Sequence, residues 1–229
     1  MMQKLYWLFA CIGLMTVAAS FIVGFRYNAN SPAANYLFNF VLYVVFIAIH
    51  MIMTLPVFKK ILYGISTGTS FERRIFIFIS VITWVAVYWL HKPVPGFSYV
   101  SPEWLQFLGT CIVLLCMVAF FEYTNFDMIN GFIGMAGAEI SHSTDAAAPL
   151  LTDGSYNSVR HPMYRALILL VFSSLIIHPH AGQLFFAVLV SLSFILFIPF
   201  EEKMLLKARG TEYRVYMEKT TYRVFRGLW

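Results

Sequence analysis

Long apolar runs, separated by short polar breaks, dominate this chain. Six runs stand out, at about 5–25, 35–58, 73–90, 103–126, 162–178 and 182–200. Each is close to the roughly 20 residues an α-helix needs to cross a bilayer's hydrocarbon core. The last two are joined only by the turn "HPHAG", which predicts a helical hairpin. Beyond them, "EEKMLLKARGTEYRVYMEKT" predicts a charged helix to about Arg209, closed by Gly210, and a second short helix capped by Thr211. The pattern predicts an all-α fold: a polytopic transmembrane helical bundle of about six spans with a short cytoplasmic C-terminal helical extension. Residues 1–229 then form one integral-membrane domain. Within it, 1–126 carry four spans, 127–161 form a cytoplasmic loop, and 162–229 hold the hairpin and C-terminal helices. The first run, with Lys4 ahead of it and "VAAS" in it, has the look of a signal peptide. It extends from Leu5 to Phe25, longer than the 7–15 residues usual for such a segment, and is expected to be a retained helix.

Composition sharpens this picture. The chain is 60% hydrophobic and 12% charged, against about 45–50% and about 25% in soluble domains. No soluble domain of useful size is left outside the runs. The net charge of +5 is distributed by topology: of 16 Lys and Arg, only Arg26 and Lys92 fall on one side of the six-span arrangement, leaving 16 − 2 = 14 on the other. The positive-inside rule then puts both termini, the 59–74 loop and the 127–161 loop in the cytoplasm. Charge so explained gives no reason to expect nucleic acid as a partner. Cys11, Cys111 and Cys116 all lie in apolar runs, with no metal-ligand spacing and no disulfide framework, so no metal is expected.

Two polar clusters interrupt the apolar pattern where charge is expensive. "SVRHPMYR" opens the fifth run. Pro162 suits the first turn of a helix. A helix N-terminus favours an anion, and Arg160 can add a bidentate fork with one more donor from His161. Arg160 and Arg165 could equally serve lipid phosphates. Glu201 and Glu202 end the sixth run, where acids oppose the helix dipole. Either Glu202 pairs with Lys203 or Arg209, or the two acids hold a cation. A hairpin brings both clusters to one membrane edge, about 10 Å apart or less, the spacing of packed helices. A zwitterion bearing a carboxylate and an ammonium fits between them, as in the methionyl part of S-adenosylmethionine. His50 and Asp127 are further polar groups in or near the membrane, and such groups are candidates for function. His50 could instead bond a backbone carbonyl, and Asp127 could cap the loop.

"LLTDGSYNSVRHPMY" and "EEKMLLKARGTEYRVYMEKT" together resemble the two signatures of the isoprenylcysteine carboxyl methyltransferase superfamily, in the same order and at similar separation. "AIHMIMTLPVFKK", "FERRIFIFISVITWVAVYWLHKPVP" and "NFDMINGFIG" are similar to segments of its methanethiol S-methyltransferase, NnrU and nurim branch. Departures are Ser155 in place of a usual proline, Arg165 where an uncharged residue is common, and no proline after the last tyrosines. The resemblance implies an integral-membrane methyltransferase using S-adenosyl-L-methionine. It implies cofactor contacts from Tyr156, Arg160, His161, Tyr164, Glu201, Glu202, Tyr213 and Tyr216. The functional reading of His50 and Asp127 puts both near the acceptor pocket, and Arg160 is expected to serve cofactor binding and catalysis alike. The expected acceptor is a small or lipophilic thiol such as methanethiol. The alternatives are a prenylcysteine carboxylate, a lipid or an isoprenoid, or a non-enzymatic protein that kept the fold.

Overall fold

The computed structural model describes residues 2–64, 70–123 and 150–229. Helices cover most of them: α1 (Met2–Val23), α2 (Ala34–Thr54), α3 (Pro56–Tyr63), α4 (Ser70–Leu90), α5 (Glu103–Tyr123), α6 (Pro162–Ile177), α7 (Ala181–Arg209) and α8 (Thr211–Lys219). A 3₁₀ turn spans Gly154–Asn157. Among the described residues there is no β-strand, only an isolated bridge between Ser98 and His180. All-α architecture is thus as the pattern predicts.

Two boundaries differ from expectation. The second run does not continue to 58. Leu55, forced out of the helical region by the proline that follows it, is extended at φ −69° and ψ 132°, and Pro56 opens the separate α3. Thr211 is not a cap. Gly210, at φ +56°, closes α7 and precedes α8, and its N–H donates to the Leu206 carbonyl at 2.9 Å. A left-handed φ is the reason for glycine there.

α1 packs on α4, α2 lies against α4 and α7, and α5 runs along α6. At Gly109 the approach is close enough that a Cβ would lie 2.8 Å from Ile177 Cγ1. Aromatic rings fill the centre: Phe21, Phe25, Tyr43, Trp84 and Phe186 form one buried cluster. The hairpin α6–α7 is pinned at its turn by polar contacts. His178 Nε2 meets the Ile22 carbonyl at 2.6 Å and His180 Nε2 the Phe25 carbonyl at 3.1 Å. Gln183 accepts from the Phe25 N–H at 3.3 Å and donates to Ser174 Oγ at 2.6 Å. Asn39 ties in the segment after α4 through both the N–H and the carbonyl of Lys92.

Among the described residues, two helices are long and apolar enough to cross a membrane, Ala34–Thr54 and Ala181–Arg209, with mean hydropathies of 2.2 and 2.3. Only 17% and 33% of their apolar windows are buried within the protein. The core helix of a soluble protein would be mostly buried, whereas here Val41, Val45, Leu192 and Leu196 face outward. Such apolar surface needs lipid or a partner to cover it. Arg74–Leu90, Glu103–Ala119 and Pro162–Ile177 are shorter apolar helices.

Candidate active site

The site is built where α6 begins and the apolar part of α7 ends. Pro162 takes the first helical position of α6, and its ring keeps His161 out of the helical conformation, at φ −124° and ψ 63°. Arg160 and His161 therefore sit just ahead of the helix, only 6% and 5% exposed. The 3₁₀ turn carries Tyr156 to the same place. α8 folds back after Gly210 and packs Tyr213 and Tyr216 against Tyr156 and Leu205.

Glu202 is the hub. Its Oε1 accepts from Arg160 Nε at 2.6 Å and lies 3.3 Å from His161 Nε2. Its Oε2 accepts from Arg223 Nε at 2.9 Å. Arginine stays protonated in proteins, so Glu202 lies between two permanent cations. Glu201 is more open. Its Oε2 accepts from the Tyr164 hydroxyl at 2.8 Å and stands 3.6 Å from His161 Nδ1. Tyr164 stacks flat on His161, with the two ring planes 3° apart.

The segment after α8 completes the arrangement. Arg160 Nη1 donates to the carbonyls of Thr220 and Thr221, each at 2.7 Å. The backbone N–H groups of Arg160 and His161 donate to the carbonyls of Tyr222 and Arg223 at 2.9 and 2.8 Å. Tyr216 donates to the Tyr156 carbonyl at 2.9 Å. Burial pushes the phenols of Tyr156, Tyr213 and Tyr216 up from their usual range. For Tyr213, the neighbouring Glu202 and Glu201 push further in the same direction. All three are neutral hydroxyls at physiological pH.

The structure brings together Tyr156, Arg160, His161, Tyr164, Glu201, Glu202, Tyr213 and Tyr216. The spacing differs from the sequence expectation: Arg160 and Glu202 do not face each other across a gap but close on one another. Nor does Glu202 turn to Lys203 or Arg209; Arg209 Nη1 reaches Glu212 at 3.3 Å instead. His50 lies between Phe46 of its own helix and Phe76 of α4, with Nδ1 3.3 Å from the Phe46 carbonyl. Asp127 lies outside the described residues. Sequence reasoning missed Arg223 and the carbonyls of Thr220 and Thr221. An arginine in a basic tail looks like a topology charge, and a backbone carbonyl has no sequence signature at all. Among the described residues no three His, Cys, Asp or Glu side chains gather as a metal site would require.

Residues 104–212 match the family model described as phospholipid methyltransferase. That stretch is similar to a phospholipid methyltransferase domain. That domain spans α5 to the start of α8 and so contains Arg160, His161, Glu201 and Glu202. A curated relative, Methanethiol S-methyltransferase 2 of Bradyrhizobium diazoefficiens (strain USDA 110), is 24% identical over 220 residues, covering 91% of this chain and 79% of the relative. No solved structure matches. Domain and relative are both methyltransferases, and the chain is an enzyme of that class in a membrane setting.

Proposed function

We propose that this chain is an S-adenosylmethionine-dependent methyltransferase acting on a small thiol such as methanethiol. The observation that carries the reading is the joining of both sequence signatures into one polar cluster at the end of the α6–α7 hairpin. Its residues suit the cofactor's zwitterionic end. Glu201, held by the Tyr164 hydroxyl, faces the ammonium; the basic groups gathered around Glu202 face the carboxylate. Tyr156, Tyr213 and Tyr216 cover the cluster with neutral hydroxyls and apolar rings. When bound, this cofactor supplies a methyl group activated by a sulfonium. The chain's own work is to orient the reactants and exclude water, the chief sources of rate for a displacement in line. We assign His50 and Asp127 to the acceptor side, where a thiol must lose its proton to become the nucleophile. The same reading puts six helices across the membrane, with both termini in the cytoplasm beside the cofactor.

The thiol acceptor draws its support from the name of the curated relative. A lipid acceptor is the second reading, favoured by the domain's description and by an apolar groove of about 390 Å³ between α2 and α7, lined by Met51, Leu55, Phe197, Phe200, Lys203, Met204 and Lys207. Purified protein in detergent, given labelled S-adenosylmethionine with methanethiol, a prenylcysteine or a lipid amine separately, tests both. Label on methanethiol alone is the expected result. Label on the lipid amine alone would replace the first reading with the second.

A further inference from the structure

The carboxyl-terminal segment 220–229 lies beyond the matched domain, which ends at residue 212, yet it is tied into the site. Val224 is 2% exposed and packs with Ile168 of α6 and Ile198 of α7. Thr220 is equally buried. Arg223 is fixed from both sides: its carbonyl accepts from the His161 N–H at 2.8 Å and its own N–H donates to the Trp229 carbonyl at 2.9 Å. Its guanidinium lies 4.8 Å from the Trp229 ring centroid.

The two arginines on Glu202 are not equivalent. Arg160 spends Nε on Glu202 and Nη1 on two carbonyls, and its side chain is 6% exposed. Arg223 spends only Nε on Glu202, and its side chain is 29% exposed. A guanidinium has five N–H donors in a planar fork that matches a carboxylate. The acids divide in the same way: the Glu202 side chain is 4% exposed and that of Glu201 is 20% exposed. The cluster's arginines and glutamates make two cations and two anions. The buried cation and buried anion, Arg160 and Glu202, neutralise each other. The open groups left are one of each sign, Arg223 and Glu201.

We propose that segment 220–229 is a strap forming one wall of the cofactor site, and that Arg223, not Arg160, meets the cofactor's carboxylate. Arg160 is a positioning residue: it buckles the strap to α6 and α7. The inference rests on the cofactor reading above. Because the strap is anchored on both sides of Arg223, the fork is preorganised and little ordering cost is left for binding.

Isothermal titration with two ligands separates the roles. S-adenosylhomocysteine carries the α-amino acid group; 5′-methylthioadenosine lacks it. Arg223→Gln weakens S-adenosylhomocysteine by about 10- to 100-fold, the worth of one charge-assisted hydrogen bond. It leaves 5′-methylthioadenosine within about twofold, since that ligand has nothing for Arg223 to hold. Arg223→Lys keeps a cation on Glu202 but loses the fork, so it falls between parent and Gln; it also carries the test if the Gln variant does not run as monodisperse protein. Arg160→Gln unbuckles the strap and weakens both ligands together. The proposal is overturned if Arg223→Gln or Arg223→Lys binds S-adenosylhomocysteine as tightly as the parent, or if both ligands weaken equally in the Arg223 variants. Failure of the parent to bind either ligand would overturn the cofactor reading and this inference with it; parental binding with an unresponsive Arg223 sinks this inference alone.

Discussion

Glu201 and Glu202 are neighbours in sequence with opposite surroundings. Glu202 has salt bridges to Arg160 and Arg223 in a buried setting; Glu201 leans on a tyrosine and is partly open. Removing one partner of a buried ion pair costs about 3–5 kcal/mol, because the other charge is left uncompensated. Glu202→Ala should therefore act first on stability, with a large fall in melting temperature in detergent. Glu201→Ala should melt close to the parent and show its effect in S-adenosylhomocysteine affinity. Equal melting temperatures for the two variants would contradict the division of labour. The sequence placed both acids at the site, because a hairpin leaves them nowhere else to go. It could not rank them. Which acid meets which arginine depends on rotamers and on a chain segment more than 15 residues away, and neither leaves a periodic trace.

At the scale of elements, the helices were legible wherever a long apolar run set them. Pro162 announced the start of α6, and Gly210 the end of α7. The break at Leu55 was legible in principle from Pro56 and was missed, because the apolar composition continues through it. The strap was not legible: it has no helical periodicity, and its hold on the site comes from backbone carbonyls. Close packing of α5 on α6 gives a further prediction. Gly109→Val puts a branched side chain where a Cβ already meets Ile177 and Ile176. Overpacking of this kind costs about 1–3 kcal/mol, to be seen as a lower midpoint in detergent melts. Thr110→Val, one residue on, keeps the shape of a half-buried side chain and gives up only a hydroxyl bond to the Gln106 carbonyl of its own helix, and should change the midpoint much less.

Taken whole, the molecule has polar contacts at the two ends of α7 and apolar surface between them. From Gln183 to Glu202 the helix rises about 28 Å at 1.5 Å per residue, close to the roughly 30 Å of a bilayer's hydrocarbon core. The proposed topology puts the Glu202 cluster on the cytoplasmic side and the Gln183 cluster on the other. Single cysteines at exposed positions test the orientation. Asn28→Cys and Val100→Cys should react with a membrane-impermeant thiol reagent in intact cells. Lys60→Cys and Arg226→Cys should react only after lysis. Labelling of Arg226→Cys in intact cells would rule out six spans with cytoplasmic termini.

The strap's bonds to Arg160 and His161 also bear on the life of the protein in a cell. Two backbone N–H groups and a guanidinium at the head of α6 find their acceptors in residues 220–223. Until that segment docks, the two N–H groups and Arg160 Nη1 lack these acceptors, beside an apolar slot that Val224 has yet to fill. A membrane-bound protease that samples loose cytoplasmic segments would meet an undocked strap as an unfolded handle and a docked one as closed surface. Val224→Asp, which changes none of the cluster's polar side chains but bars the strap from its slot, should therefore shorten the protein's half-life in a pulse-chase experiment. The ten residues that shape the site would then also be the mark by which a finished molecule is told from an unfinished one.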